Sequence, residues 1–162
     1  MPSLLESQPR SMQKTWQNIN FKMNEKIKLF FIYVSYIFIL FAIDRVTKFQ
    51  VLGILESQDK VDIYVNSFLS FYLVWNKGIG FGLFSFDNTT AYNLITLIIL
   101  FINLIIVYLI FVEEGVKVYF LLTILGGSLG NFADRLYYKA VPDFIDINYN
   151  GYHWFIFNVA DI

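Results

Sequence analysis

Not one of the 162 residues is a cysteine, so disulfides, thiolate nucleophiles and cysteine-held metals are excluded together, while the compartment stays open. Histidine is nearly as scarce. His153 stands alone, a poor basis for a zinc site or a Ser-His-Asp triad, and no metal or cofactor is expected. A formal net charge of -1, with no clustered basic face away from the termini, gives nucleic acid no footprint. Internal repeats, low-complexity tracts and a separate soluble domain are also missing. What fills the chain is apolar: 57% hydrophobic residues, 20% aromatics and a mean hydropathy of +0.55. These values exceed soluble averages and point to an integral membrane protein of at most one domain.

Residues 1–28 are polar and carry Arg10, Lys14, Lys22, Lys26 and Lys28 against Glu6 and Glu25. They read as a mobile cytoplasmic leader. The apolar run 29–43 extends past Asp44 and Val46, giving about 20 residues from Ile27 onward, enough to cross a bilayer core. Asp44, Arg45 and Lys48 stand where a cleaved signal peptide carries small residues, so this first span is expected to be retained. Its basic flank predicts an N-terminus inside. Residues 92–112 and 116–136 make spans two and three, the last carrying Gly126, Gly127, Ser128 and Gly130 for close helix contact. Between spans one and two, residues 63–75 are aromatic and β-branched with loose alternation, which predicts a small extracytoplasmic sheet. Residues 76–84 hold three glycines where the chain can turn or approach a ligand closely, without the spacing of a dinucleotide fingerprint. Phe81, Leu83, Phe84 and Phe86 are expected to dip into the membrane interface. Residues 137–157 read as a mixed aromatic and polar loop.

An aspartate near the middle of a spanning helix costs about 2.5–3.5 kcal/mol, so acids kept beside apolar segments are functional candidates. The last third of the chain gathers Asp134, Asp143, Asp146, Asp161 and the terminal carboxylate, with Asn131, Asn158 and Arg135. With the N-terminus inside, three crossings bring Asp44, the 76–84 segment, Arg135 and the tail to one outer face. Asn131, Asp134 and Arg135 share one side of span three. Paired carboxylates in a partly dry site share a proton, activate water and protonate a leaving amine, the chemistry of aspartic proteases. Spacing leaves open which two of Asp134, Asp143, Asp146 and Asp161 form such a pair. Plainer readings stand beside this one. Asp134 next to Arg135 reads as a helix-end ion pair, and Asp146 as a solvated loop acid. Asp44 and Lys48, four apart and acid first, form either an interfacial pair snorkelling to water or an inward pair that positions a site. Ser128 with Lys48 imitates a Ser-Lys hydrolase, although a small packing residue is the ordinary explanation for this serine. His153 reads as an interfacial loop residue. A non-enzymatic alternative, a small transporter subunit relaying protons through its acids, lacks the inverted repeats common among transporters.

FAIDRVTK, NKGIGFG, GGSLGNFADR, VPDFID and FNVAD occur in the order and approximate spacing of the lipoprotein signal peptidases, and the chain resembles that family, signal peptidase II, over residues 28–162. The resemblance implies a four-helix aspartic protease of the bacterial inner (plasma) membrane, multi-pass, with a cytoplasmic N-terminus and an extracytoplasmic active site. It implies cleavage of diacylglyceryl-modified prolipoproteins just before the lipidated cysteine, by an enzyme surrounded by membrane lipid and expected to be a monomer. By motif position the catalytic pair falls on Asp143 and Asp161. Site-shaping positions fall on Asp44, Lys48, Asn76, Gly78, Asn131, Asp134, Arg135 and Asn158. The family's sheet, called a cradle, corresponds to the aromatic segment before Asn76. Two departures stand out. Pro142 replaces a usual valine, and the family continues beyond FNVAD into a fourth spanning helix, whereas this sequence stops at Ile162. The expected fold is therefore a membrane all-α bundle with three spanning helices and a small extracytoplasmic β-sheet. Residues 1–28 form its leader and 29–162 its peptidase domain, and the form ending at Ile162 is expected to be inactive or nearly so.

Overall fold

The computed structural model describes residues 9–78 and 89–162; the interfacial role expected of Phe81, Leu83, Phe84 and Phe86 lies outside them. Residues 1–35 and 36–162 form two compact units. Helix α1, Arg10–Gln58, runs for 49 residues. In the first unit it starts just after Pro9, whose carbonyl accepts from the backbone N–H of Met12 at 2.9 Å and of Gln13 at 3.1 Å. The stretch read as a polar leader is helical from Arg10 onward. Its residues are polar, but Met, Gln, Lys and Glu are good helix formers and no Gly or Pro interrupts them.

In the second unit α1 continues to Gln58 and is stopped by Asp59, which adopts the left-handed conformation at φ 60° that commonly ends helices. Helices α2, Thr89–Val112, and α3, Val116–Tyr137, have 24 and 22 residues, or about 36 and 33 Å at the usual rise. Among the described residues these three helices are long and apolar enough to cross a membrane. Large apolar side chains such as Phe111, 76% exposed, and Phe120, 68% exposed, remain uncovered, as lipid-facing residues do. Gly115 turns the chain between α2 and α3 at φ 68°. The Tyr36 and Thr123 hydroxyls meet at 3.0 Å, and a Cβ on Gly126 would lie 2.9 Å from the Leu40 Cβ. That glycine lets α1 and α3 close on each other.

The described residues also form a four-stranded antiparallel sheet in the order β1 (Asp62–Asn66), β2 (Leu69–Asn76), β3 (Val141–Tyr149) and β4 (Tyr152–Phe157). The first hairpin fulfils the sheet expected before Asn76. The second replaces the loop expected over residues 137–157. Its turn carries Asn150 and Gly151, both left-handed at φ 51° and 78°, the Asn-Gly pair that suits a tight hairpin. Pro142 is tolerated in an inner strand because it sits second in β3, opposite Trp75 and beside the bulge between Phe71 and Val74. Val51, Val61 and Phe144 form a core with Ile54, Leu55, Phe71, Leu73, Ile145 and Val159. This core holds the sheet against the end of α1. After β4, Asn158 caps a 3₁₀ turn, Val159–Asp161, which lies beside α3.

Candidate active site

Span α1 turns Asp44, Arg45 and Lys48 toward α3. The Lys48 ammonium donates to Asp134 Oδ2 at 2.6 Å and to Asn131 Oδ1 at 2.8 Å, and lies 2.8 Å from Asp44 Oδ1. Arg45 donates through both Nη atoms to the two oxygens of Asp134, and also to Asp44 Oδ2 and the Gly130 carbonyl. Asp44 and Asp134 are fully buried, and Lys48 is 1% exposed. Two acids and two cations neutralise one another; desolvating them is costly, and close charge-assisted bonds offset that cost.

Asp44 and Lys48 therefore face inward against α3 and do not snorkel to water. Nor do Asp134 and Arg135 pair at the helix end, because consecutive helical residues point about 100° apart. Asp134 faces α1, while Arg135 donates to the Gly78 carbonyl and sits 5.7 Å from the Tyr92 ring centre. Lys48, bound by Asp44, Asn131 and Asp134, is not a free base for Ser128. Arg45 is the residue that reading the sequence missed as part of the site. The available signal was a second cation within one turn of an apolar helix.

From this cluster a chain of amides leads to two acids. Lysine can only donate, so its bond to Asn131 Oδ1 fixes that amide with Nδ2 toward Asp161, whose Oδ1 it meets at 2.8 Å. The backbone N–H of Asn158 donates to Asp161 Oδ2 at 3.1 Å, and Asn158 Oδ1 accepts from the Ala160 N–H at 2.8 Å. This is a capping box around the 3₁₀ turn. The same Asn158 gives Nδ2 to Asp143 Oδ1 at 2.6 Å, and Asn76 gives Nδ2 to Asp143 Oδ2 at 2.8 Å. Asn76 in turn accepts from the Gly78 N–H at 2.8 Å. Each oxygen of the two acids thus receives a donor.

Asp143 and Asp161 line one cavity of about 390 Å³, shared with Asn76, Asn131, Arg135 and Ser128 and walled by Ile99, Ile124 and Val141. Burial pushes the Asp143 carboxyl up from 3.8 to about 6; the Asn158 and Asn76 donors oppose the rise, and the charge of Asp161 adds to it. Asp161 is exposed, yet lost hydration raises its carboxyl too, against the Asn158 N–H and the Asn131 amide. Glycines allow the approach. A Cβ on Gly127 would overlap the Ala160 carbonyl oxygen, and one on Gly130 would lie 3.0 Å from the Asp44 carboxyl carbon.

Residues 36–162, all from the unit that contains this cavity, match the family model of signal peptidase (SPase) II. The chain belongs to the signal peptidase II family. A lipoprotein signal peptidase of Pelagibacter ubique (strain HTCC1062) is 46% identical over 136 residues, covering 84% of this chain and 82% of that one. That of Francisella tularensis subsp. novicida (strain U112) is 34% identical over 143 residues, covering 86% and 85%. Two solved structures, each of a bacterial membrane enzyme and obtained by the in meso method at 2.3 and 1.9 Å, are each 30% identical to this chain. They align with TM-scores of 0.61 and 0.59, covering 80% of this chain and 78% and 83% of theirs. As a member of the signal peptidase II family the chain is a membrane-embedded protease, and nothing supports the transporter alternative.

Within this family frame Asp146 departs from expectation. It lies on β3, 5% exposed, with its two oxygens 2.9 and 3.1 Å from His153 Nδ1. It is neither a solvated loop acid nor part of the cavity. Three residues from Asp143, it falls on the opposite face of the strand. His153 belongs to β4 and not to a loop.

Proposed function

We propose that Asp143 and Asp161 are the catalytic pair of this protease, and that it removes signal peptides from diacylglyceryl-modified prolipoproteins by cutting before the lipidated cysteine. The observation that carries the proposal is that both acids border one cavity and are joined through a single residue, Asn158. Asp143 is the drier of the two and keeps the shared proton. Asp161 carries the charge, favoured by a backbone N–H and by an amide that Lys48 orients. The charged acid takes a proton from a water as its oxygen attacks the scissile carbonyl carbon, while Asp143 protonates the carbonyl oxygen. Collapse of the resulting gem-diol breaks the C–N bond and sends a proton to the leaving amine. Arg135, Asn76, Gly78, Asn131, Asn158 and the Asp44–Lys48–Asp134 cluster shape and hold this arrangement. Ile99, Ile124 and Val141 offer apolar wall to a lipid-anchored peptide.

The basic flank of residues 10–28 supports a cytoplasmic N-terminus, and with three crossings the cavity faces the extracytoplasmic side of the bacterial inner membrane. The protein is taken to act as a monomer in lipid, with residues 1–28 as leader and 29–162 as peptidase domain. The test is cleavage of a diacylglyceryl-modified prolipoprotein by membranes carrying Asp143→Asn or Asp161→Asn in a form completed with the fourth spanning helix that the family resemblance implies. Each change should cut turnover by about 100–10,000-fold, the usual size of general acid–base catalysis, while the protein still inserts. Turnover retained in both variants overturns the assignment.

A further inference from the structure

Residues 10–28 of α1 precede the segment that matches the family and take no part in the cavity. Their helical phase sorts them into sectors. At about 100° per residue, Met12, Trp16, Ile19, Met23 and Ile27 fall within an arc of about 80°, each between 46% and 51% exposed. Arg10, Lys14, Lys22, Lys26 and Lys28 occupy the opposite side and one flank, with Glu25 as the single acid among them. Neutral amides fill the other flank, and Phe21 alone breaks the pattern from the basic side. Phe30 and Val34 continue the stripe in phase, so it runs directly into the apolar run that crosses the membrane.

A second copy of this helix suits the stripe poorly. Five cations against one acid repel a like partner, and before the membrane run the apolar spacing lasts under three heptads, short for a coiled coil. A tryptophan-bearing apolar stripe opposite lysines, continuous with a membrane span, fits an anionic lipid surface. We propose that residues 10–28 form a lipid-binding surface. For this, α1 bends in lipid where it leaves the apolar core, so that the Met, Trp and Ile side chains enter the boundary between headgroups and acyl chains and the lysines lie among anionic headgroups.

The absence of cysteine makes the test direct, because one introduced cysteine carries the only label. The full chain bearing Ile19→Cys or Gln17→Cys, each with an environment-sensitive fluorophore, is placed in lipid discs of phosphatidylcholine with or without phosphatidylglycerol. In anionic discs the label at 19 should be blue-shifted and quenched several-fold less by acrylamide than the label at 17. That difference should collapse in neutral discs, at ~1 M salt, and when Lys14→Gln, Lys22→Gln and Lys26→Gln are added. Equal quenching at 17 and 19 in anionic discs overturns the proposal. So does protection at 19 that ignores lipid charge, survives loss of the three lysines, or grows with the number of chains per disc.

Discussion

Asn158 shows how much one side chain can decide. Its side-chain Nδ2 serves Asp143, its backbone N–H serves Asp161, and its side-chain Oδ1 accepts from the Ala160 N–H and ties down the turn that carries Asp161. The acid it shares with Asn76 is raised from 3.8 to about 6, chiefly by burial. Below 3.8 this carboxyl is protonated in folded and unfolded chains alike. As pH climbs from there to about 6, the unfolded chain releases a proton that the folded chain keeps, so the group's contribution to stability is full below the window and lost through it. In the proposed mechanism the same proton must be present, so kcat/KM against pH should show an alkaline limb near 6. Asn76→Ala removes a donor that favours the ionised form, which lifts Asp143 further and should move the limb to higher pH. A limb that moves down, or stays put, argues against Asp143 as the proton holder.

At the scale of elements, α3 works as a rail on which the 3₁₀ turn rests, and its glycines set the gap. Gly127→Ala should push the Ala160 carbonyl and Asp161 off α3 and cut prolipoprotein cleavage at least tenfold, with membrane insertion kept. Gly53→Ala is the contrast. It lies inside α1 with no atom of the described residues within 4 Å of its missing Cβ, so it should raise stability by about 0.5–1 kcal/mol in thermal unfolding and leave cleavage alone. The three spans were readable because a run of some 20 apolar residues admits few other structures. β3 and β4 were not, because Pro142 reads as a breaker and the acids of β3 obscure its alternation. Only the Asn150–Gly151 pair announced the hairpin. The helical start of α1 was missed for the opposite reason: polarity argues against burial, and helices need no burial to be drawn from good helix formers.

Taken whole, the second unit is held by a neutral knot of two acids and two cations between α1 and α3, from which hydrogen bonds run through Asn131 to Asp161, Asn158, Asp143, Asn76, Gly78 and Arg135. Removing one member leaves a buried charge unpaired. Arg45→Ala should cost about 3–5 kcal/mol in an unfolding titration in detergent. Arg45→Lys, which keeps the charge but not the two-pronged grip on Asp134, should cost less; equal cost for both would show that charge is not what matters there. The members of this network could be named from motifs, but their partners could not. A sequence places Asp134 beside Arg135, while only the fold shows that the first looks to α1 and the second to Gly78. Because both acids hang on Asn158, an inhibitor that pries that residue loose should, in the proposed mechanism, disarm them together. A resistant variant would have to rebuild two anchorages at once, a far narrower escape than altering one contact.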